Sequence, residues 1–150
     1  MADTYSQIHL QFVFAVQGRQ GLIEESFRER TEKYITGIVR QFGHKMCSIY
    51  CMPDHTHMLV GFRTTQTISD LMREVKSSSS RFINSYGWIK NKFNWQEGYG
   101  AFSYSRNELP RIIDYILNQP VHHKKISFKE EYLNLLKEFE IQFEEKYLFD

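Results

Sequence analysis

The segment Lys45-Met46-Cys47-Ser48-Ile49-Tyr50-Cys51-Met52-Pro53-Asp54-His55-Thr56-His57-Met58-Leu59-Val60-Gly61-Phe62 decides the fold. Residues 45–52 set Cys47, Ile49 and Cys51 on alternate positions, the period-2 pattern of a strand. Pro53-Asp54 breaks that strand, and residues 55–62 alternate again as its hairpin partner, with Gly61 weakening the end. On the N-terminal side, residues 5–16 form a further strand, with Ile8, Leu10, Phe12 and Phe14 on one face and Gln7, His9, Gln11 and Val13 on the other. After the turn Gly18-Arg19-Gln20-Gly21, residues 24–42 carry Phe27, Tyr34, Ile35, Ile38 and Val39 at helical spacing, and Gly43 supplies the stop. On the C-terminal side, Ile68, Leu71, Met72, Val75, Phe82 and Ile83 mark a helix over residues 68–86, with Ser69 as its cap. The serines at 77–80 are its weakest stretch. Residues 88–100 are aromatic and irregular, residues 101–105 read as a fourth strand, residues 109–119 as a helix ended by Pro120, and residues 128–139 as a last amphipathic helix. The order β-α-β-β-α-β makes this an α+β chain of ferredoxin-like (RRM-like) type. It has an antiparallel sheet, two helices on one face and additional C-terminal helices, and its uncovered face is where chemistry is expected.

The 150 residues, 41% apolar and 25% charged, suit one globular domain spanning 1–150. No apolar run approaches the ~18 residues of a membrane span, and the N-terminus lacks the basic-then-apolar order of a signal peptide, so a cytoplasmic protein without a membrane partner is expected. Cys47 and Cys51 are too few for a disulfide framework and read as packing residues. Nineteen basic and eighteen acidic residues give a net charge of +1. Composition alone therefore does not announce a nucleic-acid binder; the placement of the charges has to.

His55-Thr56-His57 puts two imidazoles at i and i+2 of a strand, on the same face about 7 Å apart, where they can share one metal ion. The same spacing describes a pair merely exposed on a half-buried sheet. Gln7, His9 and Gln11 fall on the histidine face if the two strands are neighbours. In the helix over residues 109–119, Ile112, Ile113, Ile116 and Leu117 form the buried arc, and Tyr115 and Gln119 stand one turn apart on its flank. By spacing alone they read as a boundary aromatic and a C-terminal polar residue, and only a partner motif changes that.

Met52-Pro53-Asp54-His55-Thr56-His57-Met58-Leu59-Val60 followed by Tyr115-Ile116-Leu117-Asn118-Gln119 resembles the single-tyrosine transposases of the HUH endonuclease superfamily, and with them the REP-associated tyrosine transposases. These are insertion-sequence enzymes acting on single-stranded DNA. The resemblance extends through Trp95-Gln96-Glu97-Gly98-Tyr99-Gly100-Ala101-Phe102-Ser103 and Phe128-Lys129-Glu130-Glu131-Tyr132. It implies Tyr115 as catalytic nucleophile, His55, His57 and Gln119 as metal ligands, Mg²⁺ or Mn²⁺ as cofactor, and single-stranded DNA with hairpin ends as partner. It also implies a homodimer in which the tyrosine helix of one subunit serves the histidines of the other. Thr56 departs from the bulky hydrophobe usual between the two histidines, without removing a ligand.

The chemistry suits those roles. A phenol with a pKa near 10 is a weak nucleophile at neutral pH and needs an electrophile held beside it. Uncharged imidazole and amide ligands leave a divalent ion its full charge for a phosphate oxygen. Attack by tyrosine conserves the phosphodiester energy as a 5′-phosphotyrosine and frees a 3′-hydroxyl, so a transposase can nick and rejoin strands without ATP. For holding DNA, the residues expected are Arg19, Arg73, Lys76 and Arg81, together with Lys90, Lys92 and Trp95 in the aromatic stretch, and Lys124 beyond Gln119. His122-His123, read as extended chain, diverge and do not chelate one ion. The alternative is a non-catalytic or domesticated binder of hairpin or single-stranded nucleic acid, since the element order is shared with RNA-recognition domains and Gly98–Tyr104 partly matches their aromatic strand. A zinc hydrolase built on His55 and His57 lacks a third ligand in the sequence.

Overall fold

The computed structural model describes residues 3–149. Its sheet consists of β1 (His9–Ala15), β2 (Lys45–Cys51), β3 (His55–Gly61) and β4 (Gly100–Tyr104), antiparallel throughout in the order β2-β3-β1-β4. The first strand starts at His9 rather than at residue 5, because His9 is where pairing with both Gly61 and Tyr104 begins. Helices α1 (Glu25–Gln41) and α2 (Ile68–Tyr86) link the strands into the expected β-α-β-β-α-β unit. They share one core with alternate strand residues: Phe12, Phe14, Met58 and Val60 pack with Ile35, Val39, Leu71 and Val75.

Thr67, not Ser69, caps α2, its side chain accepting from the Asp70 amide at 3.1 Å, and Gly87 closes the helix in the left-handed conformation at φ 65°. The serine run stays helical because its hydroxyls bond back along the helix: Ser79 Oγ donates to the Val75 carbonyl (2.6 Å) and Ser80 Oγ to that of Ser77 (3.1 Å). Ser79 also accepts from the Trp95 indole at 2.8 Å, which seats Trp95 in the core against Phe14 and Phe93. A ring held there is not a platform for bases.

The second face is not open. Alternation puts Val13, Ala15, Leu59, Phe102 and Tyr104 on it, and α3 (Leu109–Leu117) and α5 (Phe128–Glu138) cover it with Ile112, Ile116, Leu135 and Leu136. The helix expected over residues 109–119 breaks at Asn118, and Pro120 near the start of the short α4 (Gln119–His122) begins a new turn instead of ending the old one. Among the described residues no helix is long and apolar enough to cross a membrane.

Gly100 seats α5. A Cβ at that position would lie 2.9 Å from both the Phe102 and the Tyr132 ring, so only glycine lets the Tyr132 ring close over β4. Gly100→Ala is expected to cost about 1–3 kcal/mol from overpacking, which at ~2–4 °C per kcal/mol lowers the melting temperature by roughly 2–12 °C. Thermal unfolding followed by circular dichroism checks it.

A candidate metal centre beside Tyr115

Strand β3 carries both histidines onto the face that α3, α4 and α5 cover. The pair is consequently buried, His55 at 1% and His57 at 0% exposure, which removes the reading of two solvent-facing rings. Their ring centroids lie 5.1 Å apart, and His55 stacks on Phe128 at 4.1 Å. Gln119, at the start of α4, and Glu131, in the first turn of α5, are buried beside them. Tyr115 on α3 is half-buried with its ring 5.7 Å from that of His57. All these residues belong to one chain.

Glu131 lies at the centre. Its carboxylate accepts from the Tyr115 hydroxyl and from Gln119 Nε2 (2.9 Å), and its Oε1 lies 2.9 Å from His57 Nε2 and 3.0 Å from His123 Nε2. Burial alone would push this carboxyl up. Contact with the His57 and His123 imidazoles and the hydrogen bond from Tyr115 outweigh burial and hold it well below the usual carboxylate range. The Tyr115 hydroxyl is displaced the other way, raised by burial first and by the adjacent carboxylate second, so the phenol is protonated at rest. Burial likewise holds His57 below the ordinary imidazole value despite Glu131.

The outward hydrogen bonds show how the cluster is aimed. His55 Nδ1 bonds to Asp54 Oδ1 (2.7 Å) and His123 Nδ1 to the Ile126 carbonyl (3.0 Å). His57 Nδ1 bonds to Gln11 Oε1 (2.7 Å), while the Gln11 amide nitrogen donates to the Tyr104 hydroxyl (2.8 Å). Each ring thus engages Nδ1–H with an oxygen on the outside, which fixes its orientation and turns Nε2 inward, as in metal-ligating histidines. Inside, His55 Nε2 faces Gln119 Oε1 at 3.2 Å, and the Nε2 atoms of His57 and His123 face a carboxylate oxygen. Acceptor meets acceptor at these contacts unless a proton or a cation lies between them. Ligand atoms of His55, His57, His123 and Glu131 all fall within 4.8 Å of one another, a nitrogen-and-oxygen donor set that can hold a divalent cation.

The fold thus brings His55, His57, Tyr115 and Gln119 to one place, and adds Glu131 and His123. Neighbouring His122, 3.4 Å from Glu131 Oε2, joins the same carboxylate, because the chain there is a helical turn and not the extended segment that would make the two rings diverge. The third ligand that a zinc site lacks in the sequence is present in space. The signal for Glu131 was a carboxylate on the buried stripe of an amphipathic helix, with Phe128, Leu135 and Leu136.

The proposed DNA contacts are scattered. Arg73 and Lys76 line one broad hollow with Trp95 and Tyr99. There Lys76 Nζ donates to the carbonyls of Gln96 (2.8 Å) and Gly98, and burial lowers its pKa to about 8. Arg19 lies over the Phe149 ring at 4.5 Å, and Arg81 contacts Ser78 at 3.3 Å on exposed surface. Lys90, Lys92 and Lys124 are exposed and lie outside that hollow.

Residues 4–119 match the IS200-like transposase family. Over 118 residues the chain is 25% identical to the ISDra2 transposase TnpA of Deinococcus radiodurans, covering 75% of this chain and 84% of that one. A crystal structure of a transposase candidate from Deinococcus radiodurans R1 superposes with a TM-score of 0.63 at 21% identity, covering 79% of this chain and 95% of that one. A REP-associated tyrosine transposase bound to a REP hairpin superposes at 0.62 and 16% identity, over 84% of this chain and 74% of that one. Both solved structures share the fold.

Proposed function

Because the chain belongs to the IS200-like transposase family, we propose that it is a metal-dependent transposase that nicks and rejoins single-stranded DNA at hairpin-bearing ends, with Tyr115 as nucleophile. The observation that carries this reading is the contact of the Tyr115 hydroxyl with Glu131, which itself lies against the His57 and His123 nitrogens. A half-buried tyrosine beside a metal-competent cluster is the pairing that transesterification needs and that a binding module does not. The mobile-element ends are the substrate, residues 1–150 act as one domain, and the hairpin-bound relative supports the hairpin as the recognised form.

His55, His57, His123 and Glu131 would hold the ion, with Gln119 Oε1 directed at the same centre. When bound, the ion polarises the scissile phosphate and stabilises the departing 3′-oxygen. Imidazole nitrogen with carboxylate oxygen favours Mn²⁺ over Mg²⁺, which prefers an all-oxygen shell. The chain does the rest. Glu131 holds the phenol toward the histidines and is already in contact to take its proton. The Tyr115 oxygen forms the bond to phosphorus while the P–O3′ bond breaks, and the proton given up by the phenol is returned to the leaving oxygen, which becomes a 3′-hydroxyl. The second strand's 3′-hydroxyl reverses these steps at the target.

Tyr115 and the histidine cluster lie on one chain, with α3 against β2 and β3, which supports a site assembled in cis. The tyrosine exchange of a homodimer would require α3 to leave that seat. Mixing Tyr115→Phe protein with His57→Ala protein tests both points with a labelled hairpin oligonucleotide and Mn²⁺. A denaturation-resistant adduct is expected with wild type and none with the mixture. An adduct in the mixture would establish the shared, dimeric site. Hairpin binding without adduct in any metal would support the binding-protein alternative, and stoichiometric zinc with hydrolysis but no adduct would support the hydrolase.

A further inference from the structure

Beside Tyr115, and opening onto it, is a cavity of about 170 Å³ that the proposed chemistry leaves unused. Drug-sized ligands occupy cavities from ~300 Å³ upward, so this one suits a single flat ring system. Ile112, Ile126 and Leu135 supply aliphatic wall, and Tyr104 and Tyr115 supply aromatic wall. The polar lining includes Asn134 and Glu138, both exposed on α5 and neither engaged in a side-chain hydrogen bond or ion pair among the described residues. Arg111 lines it too, but is already paired with Glu108 at 3.2 Å.

We propose that this cavity takes one nucleobase of the cleaved strand, next to the scissile phosphate, and that Asn134 and Glu138 read its edge. The proposal deepens the transposase reading and rests on it for the identity of the strand. In-line attack brings the scissile phosphate to the Tyr115 hydroxyl, and the flanking bases are then one sugar away, within reach of a cavity that Tyr115 itself lines. Apolar and aromatic walls with a polar edge match a base, which has two apolar faces and a hydrogen-bonding rim. They match a phosphate poorly: Glu131 and Glu138 line the cavity as carboxylates, while Arg111 is already paired with Glu108 and His122 already lies against Glu131. A free carboxylate and a free amide favour a base bearing an exocyclic amine, cytosine through Glu138 or adenine through Asn134, over thymine.

The test separates this inference from the function on which it rests. Protein labelled at isoleucine and leucine methyls is titrated with dCMP, dAMP and dTMP. Saturable shifts are expected at Ile112, Ile126 and Leu135, with dCMP or dAMP bound at least about fivefold tighter than dTMP. In Asn134→Ala/Glu138→Ala protein, which changes two exposed side chains outside the metal cluster, that preference should vanish. In parallel, adduct yield is measured on hairpin oligonucleotides carrying each base beside the cleaved bond; the wild type should discriminate and the double variant should cut all of them alike. Absent methyl shifts, or equal preference in wild type and variant, overturn the base pocket even if adducts form. Shifts without any adduct keep the base site and remove the transposase reading.

Discussion

Tyr115→Phe is expected to abolish the covalent adduct, a loss of at least about three orders of magnitude in strand cleavage, while the protein remains folded and still binds metal. The substitution removes one oxygen and leaves the His55, His57, His123 and Glu131 donors in place. Stability should fall modestly. A hydrogen bond to a charged acceptor contributes about 1.5–3 kcal/mol, and the half-buried position of Tyr115 puts the loss toward the lower end. Gln119 Nε2 still satisfies Glu131 Oε2 at 2.9 Å. Tyr104→Phe is the informative control, because Tyr104 is a second phenol lining the same cavity as Tyr115, its hydroxyl accepts from Gln11, and burial lifts its pKa to about 12. That variant should retain the adduct. The measurement is a labelled oligonucleotide run on a denaturing gel with Mn²⁺ and with EDTA; an adduct surviving in Tyr115→Phe but lost in Tyr104→Phe would move the nucleophile.

What could be read from the sequence divides along a physical line. Period-2 and period-3.6 patterns are local, so the hairpin at Pro53-Asp54, the face shared by His55 and His57, and the helix bearing Tyr115 were accessible from spacing. Which surface a C-terminal helix covers is not local. The sheet face that alternation left polar turned out to lie under α5, because Phe128, Leu135 and Leu136 find their apolar partners there. Glu131 came with them into the centre. Its buried position was visible as a carboxylate in an apolar stripe, but its partners come from β3, α3 and α4 and share no spacing with it. His123 was misread for a local reason: the two rings diverge on an extended chain and converge on a helical turn. Trp95 had the composition of a base-stacking residue and the hydrogen bond of a core one, and only Ser79, from a different element, decides between them.

Glu131→Ala should produce the largest loss of stability of any single change in the site. It removes the acceptor of the Tyr115 and Gln119 hydrogen bonds and leaves His57 and His123 facing a void, and breaking such a buried charged cluster costs about 3–5 kcal/mol. At ~2–4 °C per kcal/mol the melting temperature should drop by roughly 6–20 °C. Glu131→Gln keeps the volume and isolates the charge. The wild-type carboxyl is held below its ordinary 4.5, so the unfolded chain takes up a proton at a pH where the folded one does not. The associated stability is complete above about pH 4.5 and is lost progressively as pH falls toward the folded value. The histidines act near neutrality with opposite signs. His123, raised by Glu131 against the effect of burial, adds stability at low pH that disappears as pH rises through its folded value, whereas His57, lowered by burial, adds stability as pH rises toward 6.5. Their slopes oppose each other, which leaves the acid limb as the clear signature, and Glu131→Gln should flatten it. Metal provides the second axis. An ion at a hundred times its dissociation constant stabilises the folded state by about 2.7 kcal/mol, or roughly 5–11 °C in a chain of this size. Wild type and Tyr115→Phe should show that rise with Mn²⁺, Glu131→Gln a smaller one, and His57→Ala little or none. If Glu131→Gln kept both the full metal shift and the acid limb, the carboxylate would be a structural acceptor only, and the ion would be held by the histidines and Gln119.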